Sequence, residues 1–201
     1  TTDITNTDSL CFVRSSSSSS QSPSVRRTRT NPIIESCPTH SIRSEKEELR
    51  LKDHQLDHYK RISTILSYAP AAIDCSPMGQ GKTCIAIKYA LDNNLSLLAF
   101  CDVSMMDKIY EHSCKYGVKS VERMSYSKLR GTSRQEYDNI RISHKYLNHY
   151  DDKYHATDQL LELIKSGVLI IFDEFQALKN KSLQYHAALE IARTVSNLRG
   201  H

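Results

Sequence analysis

Two short stretches hold the side chains whose types and spacing suit chemistry on a phosphate. In "SPMGQGKTCIAI", Ser76 to Ile87, a glycine-bearing turn runs into Lys82, Thr83 and an apolar segment. Gly79 and Gly81 allow positive φ and bring backbone N–H groups close to an anion. A helix starting at Lys82 would point its positive end at the same place. Lys82 would lie along the β and γ phosphates of a nucleotide, and the Thr83 hydroxyl would take one Mg²⁺ position. The residues wrapping the phosphates would be Met78, Gly79, Gln80, Gly81, Lys82, Thr83 and Cys84. The usual phosphate-loop pattern is G-x-x-x-x-G-K-[ST], and here Ser76 stands at its first position. Far downstream, "VLIIFDEF" carries an apolar run straight into Asp173 and Glu174. Acids at the C-terminal end of a buried strand sit where open α/β sheets bind ligands. Asp173 would hold the Mg²⁺, and Glu174 would orient and deprotonate an attacking water.

Both stretches need a scaffold that brings them together, and the rest of the chain reads as one. "AAIDC" before the glycine turn is a short buried strand, and "KTCIAIKYALDNN" has helical spacing that stops at Asn93-Asn94. "LSLLAFCD" reads as a second strand, "SMMDKIYEHSCKYG" as a helix closed by Gly117, and "KSVERMS" as a third strand. "ATDQLLELIKSG" and "SLQYHAALEIARTVSNL" read as helices flanking the strand 168–172. Upstream, Ser44 with Glu47 has capping-box spacing, which predicts one or two helices from there to before Pro70. Residues 131 to about 155 read as a polar, tyrosine-rich surface excursion. Alternating short strands and helices imply a three-layer α/β fold with a mostly parallel sheet.

Composition bounds the rest. The chain has 201 residues, a formal net charge of +4 and six cysteines, with no C-x-x-C pair. Zinc-ribbon spacing is absent, and reduced thiols in apolar runs are the preferred reading, which favours an intracellular location. No segment approaches the length of a membrane span. Residues 1–44, with "SSSSSSQSPSVRRTRTNP", read as a disordered Ser/Arg-rich tail, and 45–201 as the folded domain.

The motifs resemble those of superfamily-2 helicases and translocases. "SPMGQGKT" is similar to their motif I, where Ala or Ser commonly occupies the first position. "DEFQ", Asp173 to Gln176, is similar to the D-E-x-[HQ] box of motif II. "LKDHQ", ending at Gln55, looks like the element that packs near adenine. Lys179-Asn180 resembles the "K-N" that follows motif II in Swi–Snf remodellers, and "SYSKLRG" before a polar insert looks most like the Swi–Snf-related helicases of large cytoplasmic DNA viruses.

The resemblance implies a P-loop NTPase domain of RecA-like fold, the first of two, incomplete at its C-terminus before motif III. It implies ATP and Mg²⁺ as cofactors, with Gln55 near adenine and Gln176 linking the γ phosphate to motif III. DNA is favoured over RNA as partner, together with a second RecA-like domain not in this chain. Without that lobe's arginine finger, worth about 10³ to 10⁵ in rate, ATP hydrolysis would be weak. An RNA helicase, a catalytically incomplete ATP-binding fragment and a ring-forming P-loop ATPase are the alternatives. Nucleus, cytoplasm, and viral factory or virion are not separated. Tyr126, Lys128 and Arg130 would touch a phosphate backbone or simply face solvent. His144, His149, Asp151, Asp152 and His155 fit a solvated loop better than a metal site.

Overall fold

The computed structural model describes residues 10–14, 48–77, 79–131, 141–143, 145–178 and 182–199. The core is a five-stranded sheet between two layers of helices. Its strands are β1 (Leu10–Arg14), β2 (Ala71–Asp74), β3 (Ser96–Cys101), β4 (Val121–Ser125) and, last in the chain, β8 (Val168–Phe172), in the spatial order β2-β1-β8-β3-β4. The pairs β3–β4 and β3–β8 are parallel. The chain is therefore α/β, with three adjacent parallel strands, β8, β3 and β4, filling one side of the sheet.

β3 and β8 are buried along their whole length because both of their faces are covered. Leu97, Ala99, Cys101, Leu169 and Ile171 pack under α1 (Asp53–Tyr68), α2 (Lys82–Asp92) and α3 (Val103–Tyr116). Leu98, Phe100, Val168, Ile170 and Phe172 face the opposite layer, built from α4 (Tyr126–Leu129), α5 (Asp158–Lys165) and α6 (Leu183–Arg199). Phe100 and Phe172 stack there at 5.0 Å. Helix ends follow local rules: α1 stops at Ala69, held extended before Pro70, and α3 is closed by Gly117 at φ 81°.

Four expectations need correction. Within the stretch read as a tail, Leu10–Arg14 is a strand, antiparallel to both β2 and β8. "LCFVR" is the most apolar run before residue 48, and pairing on both sides satisfies its backbone. The other tail residues, 1–9 and 15–44, lie outside the described residues. Second, α1 begins at Asp53; Ser44 and Glu47 lie outside the described residues, and Leu49 is buried without being helical. Third, the 131–155 excursion contains a second, antiparallel sheet of β5 (Arg141–Ser143), β6 (Leu147–Tyr150) and β7 (Lys153–Ala156). Tyr146, Leu147 and Tyr154 are buried in the α4–α6 layer, so these tyrosines pack; 132–140 and His144 are outside the described residues. Cys75, Cys84 and Cys101 are free thiols, whereas Cys114 is disulfide-bonded, contrary to the expectation of reduced cysteines. Among the described residues no helix is long and apolar enough to cross a membrane.

Candidate functional site: a glycine turn and an acidic turn at one end of the sheet

The glycine turn is held from both sides. At the end of β2, Asp74 is 1% exposed, and its Oδ1 accepts the Ser76 N–H at 2.9 Å and pairs with His58 Nε2 of α1 at 3.1 Å. This bends the chain out of the strand. Gly79 and Gly81 then take φ of 82° and 77°, the left-handed region the sequence reading required of them. Lys82 is almost buried, and its Nζ donates to the Ser76 carbonyl at 2.5 Å, closing the loop. Thr83 and Cys84 are partly buried in the first turn of α2. Met78 lies outside the described residues.

Gln55 explains why the turn sits where it does. Its Oε1 accepts the Lys52 N–H at 2.9 Å, which caps the start of α1, and its Nε2 donates to the Gln80 carbonyl at 3.3 Å. A Cβ on Gly81 would lie 1.9 Å from that Nε2. Gly81 is thus needed both for its φ and for the close approach of Gln55, and Gln55 rests on the backbone of the turn itself.

The acidic turn follows β8. Asp173 donates its N–H to the Phe100 carbonyl of β3 at 2.8 Å, and its own carbonyl accepts the Tyr126 hydroxyl at 2.6 Å. Glu174 follows with φ 54°, a left-handed conformation that costs a residue with a Cβ about 1 kcal/mol. Gln176 lies in a short 3-10 helix, Phe175–Leu178, and Lys179 and Asn180 lie outside the described residues. Asp173, Glu174 and Gln176 are half-buried. Burial pushes the Cys101 thiol up to about 12, and the Asp173 carboxylate is the first of the charges that add to the rise.

Strand register places the two turns at one end of the sheet. Cys11 of β1 faces Ile73 on one side and Phe172 on the other, while Leu10 faces Asp74. β2 and β8 therefore run in the same direction and end level with each other, with β1 between them. Two interstrand steps of about 4.8 Å put the strand ends roughly 10 Å apart. The span suits a small polyanion reaching from one turn to the other.

Whether a magnesium nucleotide fits can be judged from the donors. No group of three or more His, Cys, Asp or Glu side chains could hold a metal among the described residues. One carboxylate and one hydroxyl, Asp173 and Thr83, match Mg²⁺, which takes few protein ligands and completes its shell with waters and phosphate oxygens. The Ser76 Oγ is buried in the turn without a hydrogen-bond partner, as is Asp74 Oδ2. A buried hydroxyl without a partner in such a turn is consistent with a polar group left for an incoming acceptor.

Other expected contacts fall differently. Tyr126 is 6% exposed and turned inward to Asp173, so it does not offer a surface contact; Lys128 and Arg130 are exposed. His149 is buried against the Tyr154 ring, and Asp151 and Asp152 form an exposed hairpin turn at φ 50° and 55°. Sequence reasoning missed His58, Asp74 and the role of Tyr126. A carboxylate inside the apolar "AAIDC" was the available signal for Asp74, since unpaired acids are rarely buried.

By fold and site, the molecule is a three-layer α/β domain with a lysine-bearing glycine turn and an acidic turn at one end of its sheet. Comparison with protein-family models, curated proteins and solved structures finds no match.

Proposed function

We propose that this domain binds ATP with Mg²⁺ and belongs to a nucleic-acid-dependent ATPase. The observation that carries the reading is that β2, which leads into the glycine turn, and β8, which leads into Asp173–Glu174, run in the same direction and end level, two strands apart. In this reading Lys82 leaves the Ser76 carbonyl for the phosphates, and backbone N–H groups of the turn and of early α2 surround them. Thr83 and Asp173 would hold Mg²⁺, whose contribution is to neutralise charge on the phosphates. Glu174 accepts the proton of the attacking water. Gln55, Gln80, Cys84 and Gln176 border the same mouth.

A superfamily-2 motor of RecA-like fold, closest to the Swi–Snf type, is the form of ATPase we favour. Its support is the motif order and the contact of Gln55 with the Gln80 carbonyl, which ties the upstream glutamine to the phosphate turn. DNA remains the favoured partner, through exposed cations such as Lys128 and Arg130. ATP turnover of the full chain is to be measured with duplex DNA and with single-stranded RNA. Greater stimulation by duplex DNA supports the translocase, and greater stimulation by RNA favours the RNA helicase. ATP binding with no turnover under either condition supports the incomplete ATP-binding fragment. Binding that is unchanged by Lys82→Ala contradicts the site; loss of that lysine should weaken affinity about 10- to 100-fold, the worth of a charge-assisted hydrogen bond.

A further inference from the structure

We infer that Tyr126 is a positioning residue for the acidic turn: its hydroxyl sets the Asp173–Glu174 peptide, and with it the Mg²⁺-dependent part of nucleotide binding. This rests on the nucleotide reading above and gives Tyr126, read from the sequence as a backbone contact, a different role.

The backbone at Glu174 is strained. Glu174 holds φ 54° two residues after the last residue of β8, Phe172. Left-handed backbone at a residue with a Cβ persists only where surrounding contacts over-determine it. Here residue 173 is fixed at both of its backbone polar groups. The N–H is bound to β3 through Phe100, and the carbonyl is bound to Tyr126. The first bond merely continues the β3–β8 ladder. The second comes from a different element and falls on the peptide unit that the φ rotation of Glu174 would turn.

The hydroxyl is itself held rigidly. Tyr126 is the first residue of α4, a one-turn helix capped by Ser125, whose Oγ accepts the Lys128 N–H. Its far end is clamped by a second tyrosine, since Tyr154 Oη donates to the Arg130 carbonyl at 2.8 Å. The exposed Lys128 and Arg130 thus ride on an element whose buried side grips the acid. An anion landing on them would act on Asp173 through the Tyr126 hydroxyl.

The test uses Tyr126→Phe, which removes one oxygen and keeps the ring, with Tyr154→Phe as a control that deletes the same group at the other end of α4. Amide hydrogen exchange without nucleotide reads the hold directly. Exchange at Glu174 and Phe175 should rise at least tenfold in Tyr126→Phe and stay within about twofold of the parent in Tyr154→Phe. Calorimetric ATP affinity is then measured in EDTA and in Mg²⁺. Tyr126→Phe should keep the metal-free affinity within about twofold and lose about tenfold of the Mg²⁺ gain. Unchanged exchange at Glu174 and Phe175, or an intact Mg²⁺ gain, overturns the inference while leaving the nucleotide site standing. Equal effects from Tyr154→Phe reduce Tyr126 to a general structural role and overturn it too. Parent protein that ignores ATP in both buffers overturns the nucleotide reading, and the Mg²⁺ part of this inference falls with it.

Discussion

Replacing Gly81 with alanine separates two reasons for a glycine, and the structure assigns a size to each. The backbone there has φ 77°, which costs an alanine about 1 to 2 kcal/mol. The added Cβ would also lie 1.9 Å from Gln55 Nε2, so the side chain of Gln55 must leave. Leaving breaks its bonds to Lys52 N–H and the Gln80 carbonyl, each worth about 1 kcal/mol net. Gly81→Ala should therefore cost about 3 to 4 kcal/mol. Gln55→Ala alone should cost about 2 kcal/mol for the same two bonds. Because Gln55 is lost either way, the double variant should match Gly81→Ala, leaving a coupling of about 2 kcal/mol between the sites. Gly79→Ala is the control: φ is 82°, but nothing lies within 4 Å of its Cβ, so only the backbone cost of about 1 to 2 kcal/mol applies. Urea unfolding of the four variants measures all of this. Additive losses at Gly81 and Gln55, or equal losses at Gly79 and Gly81, would refute the packing of Gln55 on the turn.

Three further outcomes are expected. Deleting residues 1–14 removes β1, which joins β2 to β8, and should lower stability by more than about 3 kcal/mol in urea unfolding, given several backbone bonds of about 1 kcal/mol each; an unchanged midpoint would show that β1 is not part of the sheet. A thiol-alkylating reagent at neutral pH should modify exposed Cys75 and spare buried Cys101 until the protein unfolds, as mass spectrometry of the labelled peptides would show. Stability should fall as pH rises from about 9 to 12. Cys101 and Tyr59 are both raised to about 12, each mainly by burial, and Tyr146 is raised by burial and then by Glu122. The folded protein thus keeps protons that the unfolded chain gives up, and each such group costs about 1.4 kcal/mol per pH unit across its window. A urea midpoint that is flat over that range would contradict the burial of these groups.

The parts of the fold that were legible are those where one physical demand dominates. "VLIIFDEF" reads as a strand because a parallel strand covered on both faces must be apolar at every position, as β8 is. Gly79 and Gly81 were legible because a tight turn of this kind needs positive φ, and the helix stop at Asn93-Asn94 because Asn tolerates the left-handed φ of 51° found at Asn94. The misses share another origin. A capping box at Ser44 is a local signal, whereas α1 begins where Gln55 can reach both Lys52 and the distant Gln80. β1 draws its place in the sheet from partners some 60 and 160 residues away in the chain, beyond the reach of periodicity. The Tyr126–Asp173 bond joins the end of one strand to the end of another, and a tyrosine in "SYSK" carries no mark of that. The candidate site was legible as two separate turns; what holds each turn in place was not.

The central claim is that both turns touch one metal nucleotide, and Mn²⁺ in place of Mg²⁺ reports on that directly. Amide resonances of the protein are followed while Mn²⁺–ATP is added. The account predicts that Gly79, Gly81, Lys82 and Thr83 broaden together with Asp173 and Glu174, along one binding curve, and that Lys82→Ala shifts that curve to higher concentration. Broadening confined to one of the two turns, or spread over carboxylates elsewhere on the surface, would contradict it.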